Sequence, residues 1–286
     1  MIPSSSKPGL ARAFFIALVF CFPAPRLFAW GPVGHETVAY IAQDHLTPQA
    51  ARAVRQLLGP GEDLAAVSNW ADSIVQIRPE TANWHHLDLD VRKNLTLADL
   101  ADYCPRGDCV VGQIERDLAV LRNPRDGPDQ KREALKFLVH FVGDLHQPLH
   151  CANDNDRGGN EKYLILHASF WPRHSRWVRL HGYWDHLLEE KTREVPRDLA
   201  TRLEARVTPG DLARWQGGSV EAWAFESYLI AKDDIYAELP EGPMRGGWEG
   251  VRPPADYRNG ALRLIVDRQL EKAGFRLAWL LNQTFK

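Results

Sequence analysis

The stretch FLVHFVGDLHQPLH, residues 137–150, places two polar side chains inside an apolar helical pattern. His140 and Asp144 stand four residues apart, so they share one face of the predicted helix. Burying a carboxylate without a partner is costly, and a metal ion is a natural partner for this pair. Because Pro148 ends or bends the helix, we expect His150 beside the same face. The stretch therefore predicts a buried helix that carries metal ligands.

A second pair with the same spacing, His181 and Asp185, lies in the aromatic stretch LHGYWD. Asp72 in NWADS and His85 in NWHHLDLD also lie in apolar helical settings. Any one of these residues alone is as readily explained as a satisfied polar residue of the core. Taken together, imidazole and carboxylate ligands suit zinc, and more than four of them imply more than one ion.

Helical periodicity dominates the rest of the chain, and the sequence contains no repeat. The predicted helices cover residues 33–46, 48–58, 64–78, 110–122, 130–146, 182–192, 198–206, 218–238 and 257–282. The strongest strand signals, Tyr163–Phe170 and Arg176–Leu180, predict a hairpin around Trp171 and Pro172. Gly and Pro at 241–254 predict a loop before the last helix. We expect an all-α fold, a single compact multi-helix domain over residues 30–286 with a small β-hairpin.

The first 29 residues have the pattern of a secretory signal peptide. Lys7 and Arg12 precede the apolar run Ala13–Phe22, and small residues lead to Ala29. The run is too short to span a bilayer comfortably, although a membrane anchor is the alternative interpretation. The mature protein is therefore expected in a secreted or periplasmic compartment.

Removal of residues 1–29 makes the protein mildly acidic. Three of the 35 Lys and Arg residues leave with this segment, so 32 face 37 Asp and Glu, a net charge of −5. This balance argues against a broad basic surface for nucleic acid. It does not exclude a local cationic site, because bound metals would be the largest charges there.

The cysteines suggest one disulfide. Cys104 and Cys109 flank a short loop and predict a local bridge in an oxidising compartment. Cys151 follows His150 directly and is interpreted as a small buried thiol, with a zinc ligand as the alternative.

Cleavage after Ala29 would make Trp30 the mature N-terminus. A free α-amine has a pKa of roughly 7.7–8, so a metal displaces its proton easily near neutrality. The amine and carbonyl of Trp30 could then chelate one ion while His35 supplies a third ligand atom.

Six motifs occur in order: WGPVGH at 30–35, WAD at 70–72, WHHLD at 84–88, HFVGDLHQPLH at 140–150, GGN at 158–160 and LHGYWD at 180–185. Together they resemble the secreted, zinc-dependent, single-strand-specific nucleases of the mung bean type, also called class I or bifunctional nucleases. The resemblance runs from Trp30 to about Asp185, and the last hundred residues add a compatible helical pattern.

The resemblance implies a trinuclear zinc site. It assigns the three Zn²⁺ ions to three ligand sets: Asp72, His85, His140 and Asp144; Trp30, His35 and Asp144; and His150, His181 and Asp185. Three carboxylates against three divalent ions leave a net positive pocket in an acidic protein. Such a pocket attracts phosphate without a basic groove.

The activity implied by the resemblance is hydrolysis of phosphodiester bonds in single-stranded DNA and RNA to 5′-phosphate products, with 3′-nucleotidase activity as a further expectation. Besides the metal ligands Asp72 and Asp144, which it also makes catalytic, the resemblance implies a catalytic Asp90 that orients the attacking water or the transition state. The expected substrate contacts are His86, Lys93 and Asn160. Lys93 is equally explained as a solvated lysine, and the Gly-Gly-Asn turn as an ordinary turn. The partners are then single-stranded nucleic acid and nucleotides, and the protein is a monomer without stable membrane association.

Two alternatives share the motifs. A zinc-dependent phospholipase C of the related fold also uses an N-terminal Trp and three zincs, on lipid headgroup esters. A secreted zinc-binding protein without turnover is the non-enzymatic alternative. The remaining histidines are expected to carry no metal: His45, His146, His167, His174 and His186.

Overall fold

The computed structural model describes residues 30–167, 175–186, 194–242, 244–245, 248–254, 257 and 261–286. The predicted signal peptide at 1–29, the tip of the predicted hairpin at 171–172 and His174 lie outside the described residues.

The N-terminal part is a series of short helices. They are α1 (Pro32–Asp44), α2 (Pro48–Leu58), α3 (Leu64–Val67), α4 (Trp70–Ile74) and a 3₁₀ helix at Pro79–His85. The prediction of one helix over 64–78 is wrong, because the chain breaks at Ser68. The Ser68 hydroxyl donates to the carbonyl of Ala65, and the Ser68 carbonyl accepts a hydrogen bond from His140.

The central part carries the longest buried helix of the site. It comprises a 3₁₀ turn at Leu97–Asp99, α5 (Leu100–Tyr103), a 3₁₀ turn at Pro105–Gly107, α6 (Val110–Arg122), α7 (Pro128–Leu145) and a 3₁₀ turn at Pro148–Cys151. Helix α7 packs on α6 and starts at a proline, where the missing N–H costs nothing. It ends shortly before Pro148, and all its residues from Phe137 to Leu145 are buried. The stretch 137–150 therefore supplies the buried helical segment that its pattern predicts.

The C-terminal part is also helical. It contains α8 (Leu180–Asp185), α9 (Pro196–Glu204), α10 (Pro209–Trp215), α11 (Val220–Ile230), a π-helical turn at Ala231–Tyr236 and α12 (Ala261–Thr284). The periodicity missed α10, although Thr208 and Asp211 form a capping box at its start. Beyond Asp185, the predicted helix over 182–192 falls mostly outside the described residues.

Four short strands form one sheet in the order β2-β1-β4-β3, where β1 is Lys162–His167, β2 Ser175–Arg179, β3 Met244–Arg245 and β4 Trp248–Val251. The predicted hairpin is present as the antiparallel pair β1–β2, with Tyr163 opposite Arg179. The prediction of a loop over 241–254 is wrong, because β4 pairs in parallel with β1. That partner is remote in sequence, so local pattern does not reveal it.

The helices enclose one hydrophobic core, and the all-α prediction is confirmed with the sheet as a small addition. Helix α1 packs across α12, and Trp30 just before it is fully buried. The backbone N–H of Gly31 donates to the carbonyl of Asp185 at 3.0 Å, which fixes the start of α1 beside the end of α8. Among the described residues, no helix has the length and apolar character needed to cross a membrane.

Candidate metal centre

Nearly all the predicted metal ligands converge at the C-terminal half of α7. Three groups each bring their ligand atoms within 4.8 Å of one another: His35 with His140 and Asp144; Asp72 with His85 and His140; and His150 with His181 and Asp185. The ligands come from α1, α4, α7, α8 and two 3₁₀ turns, so the site lies where these elements meet.

Asp144 lies between the first two groups. Its Oδ1 is 3.4 Å from His35 Nε2, whereas its Oδ2 is 2.8 Å from His85 Nδ1 and 3.2 Å from His140 Nε2. One carboxylate thus presents its two oxygens to different sets of imidazoles. This arrangement suits a ligand that is shared by two neighbouring ions.

Helix α7 approaches α1 closely at Gly143. A Cβ at this position would lie 2.8 Å from Nδ1 of His35. The His35 ring is in turn stacked on His140, with ring centroids 4.0 Å apart and an interplanar angle of 10°. Only glycine therefore leaves room for the histidine of α1 to reach the carboxylate of α7.

Three of the histidines have their tautomers fixed by backbone carbonyls. Nδ1 of His140 donates to the Ser68 carbonyl at 2.7 Å, and Nδ1 of His150 donates to the His85 carbonyl at 2.7 Å. Nδ1 of His181 donates to the Gly158 carbonyl at 2.6 Å. Because a carbonyl oxygen only accepts, the proton of each neutral ring sits on Nδ1 and the lone pair sits on Nε2.

The third group brings two such lone pairs together. Nε2 of His150 and Nε2 of His181 are 3.1 Å apart. Burial, the largest influence on both rings, lowers the pKa of His150 to about 3 and the pKa of His181 to about 4. Neither ring carries an extra proton near neutrality, so two acceptors face each other at hydrogen-bond distance. A cation bound between the two nitrogens and the carboxylate of Asp185 would satisfy all three side chains.

The other histidines also fit a metal. Burial lowers the pKa of His35 to about 3, and neither of its ring nitrogens has a hydrogen-bond partner. Burial opposes a charge on His140 as well, but Asp144 and Asp72 outweigh it and raise the pKa of His140 well above its usual value. The same negative field would stabilise a metal cation.

The buried carboxylates need compensation. Burial raises the pKa of Asp185 well above its usual range, and Nε2 of Gln147 donates to its Oδ1 at 2.8 Å. Burial would also raise the pKa of Asp144, but His140 and His85 reverse the shift and hold that pKa well below its usual range. Imidazole nitrogens and carboxylate oxygens in these groupings match the ligand preference of zinc.

Asp90 and Lys93, predicted as a catalytic and a substrate residue, lie outside the three groups. Both oxygens of Asp90 accept hydrogen bonds from the guanidinium of Arg92, at 2.8 and 2.9 Å. The hydrogen bonds from Arg92 lower the pKa of Asp90. Lys93 is exposed, and its Nζ contacts the hydroxyl of Tyr103 at 3.3 Å. Neither residue is part of a candidate metal group.

His86 and Asn160 lie near the third group. Nδ1 of His86 is 3.6 Å from Oδ2 of Asp88. Burial is the main cause of the lowered pKa of His150 and His181, and His86 makes a smaller electrostatic contribution to both. The side-chain amide of Asn160 donates to the carbonyl of Arg157 at 2.9 Å. Both side chains are partly exposed, which leaves them able to meet a substrate.

His146 and the three described cysteines lie outside the three groups and have contacts that stabilise the fold. His146 is fully buried; its Nδ1 donates to the Val142 carbonyl, and its Nε2 accepts from Arg276 at 2.8 Å. Cys104 and Cys109 form the predicted disulfide. Cys151 is a buried thiol 3.4 Å from the Leu145 carbonyl, and it belongs to none of the three groups.

Sequence reasoning missed the residues that hold the ligands in place. Ser227 donates to the Leu145 carbonyl, and Gln269 donates to the His146 carbonyl, so both cap the C-terminal end of α7. They lie in the last seventy residues, where no motif marked them. Gln147 lies within the quoted stretch, and only its contact with Asp185 reveals its role.

Comparison with known proteins covers almost the whole described chain. A family model described as S1/P1 Nuclease matches residues 30–286. Endonuclease 2 of Arabidopsis thaliana is 28% identical over 297 residues, which cover 98% of this chain and 99% of that protein. Endonuclease 4 of the same plant is 31% identical over 90% of this chain and 89% of its own length. Nuclease P1 of Penicillium citrinum is 30% identical over 89% of this chain and 97% of its own length.

Proposed function

This chain belongs to the S1/P1 nuclease family, and we propose that it is a secreted, zinc-dependent endonuclease that hydrolyses phosphodiester bonds of single-stranded DNA and RNA to 5′-phosphate products. It is an ester hydrolase like the nucleases it resembles. The observation that carries the proposal is the pair of Nε2 lone pairs of His150 and His181, 3.1 Å apart in a buried pocket with Asp185.

The proposed site holds three Zn²⁺ ions. The ligand sets are Asp72, His85, His140 and Asp144 for one ion; His35, Asp144 and the amine and carbonyl of Trp30 for the second; and His150, His181 and Asp185 for the third. When bound, zinc supplies Lewis acidity toward phosphoryl oxygens and water. The second set depends on removal of the first 29 residues, because only cleavage gives Trp30 a free amine.

The side chains of this protein would bind the zinc ions, and neighbouring groups of the protein orient those side chains. Carbonyls of Ser68, His85 and Gly158 hold the imidazoles, and Gln147 holds Asp185. The histidine ligands and the carboxylates of Asp144 and Asp185 are buried, so bulk water has little access to them. The rigid, dry walls strengthen every electrostatic interaction with a phosphate in the pocket.

The rim residues contact the substrate. His86 and Asn160 meet a base or phosphate beside the third group. Arg92 bonds to both oxygens of Asp90, and Oδ2, which accepts one of these bonds, keeps a second lone pair with which Asp90 can orient water or the transition state. Lys93 is exposed and meets phosphate electrostatically. We also propose 3′-nucleotidase activity, and action as a monomer.

Metal stoichiometry on protein that begins at Trp30 tests the proposal. We expect three zincs per chain, loss of single-stranded DNA cleavage on chelation and recovery when zinc is returned. His181→Ala should lose one zinc and most activity. The matched control is His45→Ala, because His45 pairs with Glu204 away from the three groups.

Three results would contradict the proposal. The first is robust cleavage after verified metal removal. The second is zinc binding without hydrolysis of any phosphodiester. The third is faster cleavage of phosphatidylcholine than of single-stranded DNA, which would identify a phospholipase C instead.

A further inference from the structure

The loop from Asn153 to Asn160, called here the Gly158 loop, has a strained backbone. Asn155 and Arg157 have φ angles of 57° and 58°, a left-handed conformation that residues with a side chain rarely adopt. Gly158 and Gly159 follow with φ angles of 63° and 84°. Such a backbone persists only where surrounding contacts fix it.

A buried carboxylate inside the loop supplies those contacts. Oδ1 of Asp156 accepts from the backbone N–H of Gly159 at 2.9 Å and of Asp154 at 3.2 Å. The hydroxyl of Tyr236 lies 3.0 and 3.1 Å from the two oxygens of Asp156. The loop therefore winds around one carboxylate that Tyr236 holds from outside.

The loop in turn holds a ligand of the third group by two bonds. The carbonyl of Gly158 accepts from Nδ1 of His181 at 2.6 Å, and the carbonyl of Gly159 accepts from the backbone N–H of His181 at 3.1 Å. A Cβ on Gly158 would lie 2.9 Å from the carbonyl oxygen of Leu149, so the loop also packs tightly against the turn that carries His150. Ring tautomer and backbone position of His181 both depend on the Gly158 loop.

Tyr236 is presented by an unusual piece of helix. The segment Ala231–Tyr236 is π-helical, and the backbone N–H of Ala237 bonds to the carbonyl of Lys232, five residues back. The extra residue rotates the following side chains by about 100° relative to a continuing α-helix. Single π-helical turns inside α-helices are frequent at functional sites.

We propose that Tyr236, acting through Asp156 and the Gly158 loop, is a positioning residue for His181 and sets the zinc affinity of the third group. The proposal rests on the proposed zinc nuclease function. It gives the π-helical turn a role in positioning His181, although this turn lies outside the motifs that supply the metal ligands. Loss of the Tyr236 hydroxyl releases one side of Asp156, so the Gly158 carbonyl no longer holds the ring in one orientation.

The test compares Tyr236→Phe with Tyr228→Phe. Tyr228 is a matched control because it is also buried, lies on the helix that leads into the π-helical turn and donates to a backbone carbonyl, that of Lys93, at 2.9 Å. Zinc affinities are measured on the loaded proteins by competition with a chromophoric chelator. We expect Tyr236→Phe to lower the affinity for one of the three zinc ions by about 10- to 100-fold. Tyr228→Phe should leave all three affinities unchanged.

His181→Ala identifies the affected ion. If the proposal holds, adding Tyr236→Phe to His181→Ala changes the two remaining affinities little, because both variants act on one group. Asp156→Asn, which keeps the side-chain size, should lower the affinity for the same zinc ion. It replaces Tyr236→Phe as the test if the Tyr236→Phe protein does not fold. Three wild-type affinities in folded Tyr236→Phe or Asp156→Asn protein would overturn the proposal. Wild-type protein that binds no zinc would instead overturn the proposed function.

Discussion

Replacing Gly143 with alanine should separate metal binding from folding. The new Cβ would lie 2.8 Å from Nδ1 of His35, whereas ordinary contacts begin at 3.4 Å, so the ring must retreat by 0.6 Å. It cannot turn aside freely, because His140 is stacked on it with ring centroids 4.0 Å apart and both rings are buried. The retreat moves His35 relative to Asp144, its partner in the first group.

The expected magnitudes follow from two opposing effects. Alanine is favoured over glycine inside a helix by about 0.8–1 kcal/mol. Overpacking of a core costs about 1–3 kcal/mol, so the free energy of unfolding should fall by no more than about 2 kcal/mol. A ligand that is displaced by a fraction of an ångström should weaken one zinc by about 10- to 100-fold, with a comparable loss of activity.

The assay combines zinc affinity, cleavage of a single-stranded oligonucleotide and denaturant unfolding. Gly182→Ala is the control, because Gly182 also lies in a helix that carries proposed metal ligands and a Cβ there meets no atom within 4 Å. His35→Ala is the reference for complete loss of the ligand. Gly143→Ala protein with three zincs at wild-type affinity and full activity would refute the reasoning.

Three other predictions address the rest of the molecule. Burial raises the pKa of Asp117 well above its usual range, so the stability contributed by its protonated form is present below about pH 4 and is lost as the pH rises through the folded-state pKa. Asp117→Asn should therefore match the wild type in acid and become progressively more stable than it toward neutrality, in thermal unfolding over a pH series; parallel curves would contradict this. Replacing Cys104 and Cys109 with alanine should lower the free energy of unfolding by about 2 kcal/mol, the entropy of closing so short a loop, with zinc content unchanged; denaturant titration and metal analysis measure both. An extra Met ahead of Trp30 should weaken one zinc, because an amide replaces the amine; equal stoichiometry in both forms would argue against the amine ligand.

The sequence predicted the parts of the fold that depend on local pattern. The four-residue spacing in α7 and α8 and the helix-ending role of Pro148 concern neighbours along one element, where periodicity is informative. The structure brings each predicted histidine and aspartate ligand into one of the three groups. The break at Ser68 was missed because it depends on His140, which lies far along the chain.

Other features had no local signal. The pairing of β4 with β1 joins distant segments, and the carbonyls that orient the imidazoles belong to backbone that every residue shares. The ion pair of Asp90 with Arg92 is an exception, because these residues are only two apart; the role expected for Asp90 comes from motif position, which does not reveal that pair. Contacts between remote segments thus account for most of what sequence reasoning missed.

The buried position of Trp30 affects where a further domain or tag can be attached. Trp30 is fully enclosed and the next residue is bonded to Asp185, whereas Lys286 is exposed. A domain or affinity tag fused after Lys286 begins in solvent and leaves the interior unchanged. In the processed form expected from the sequence, a group attached to the Trp30 amine would start at an enclosed position. An added module should therefore be better tolerated after Lys286 than directly before Trp30.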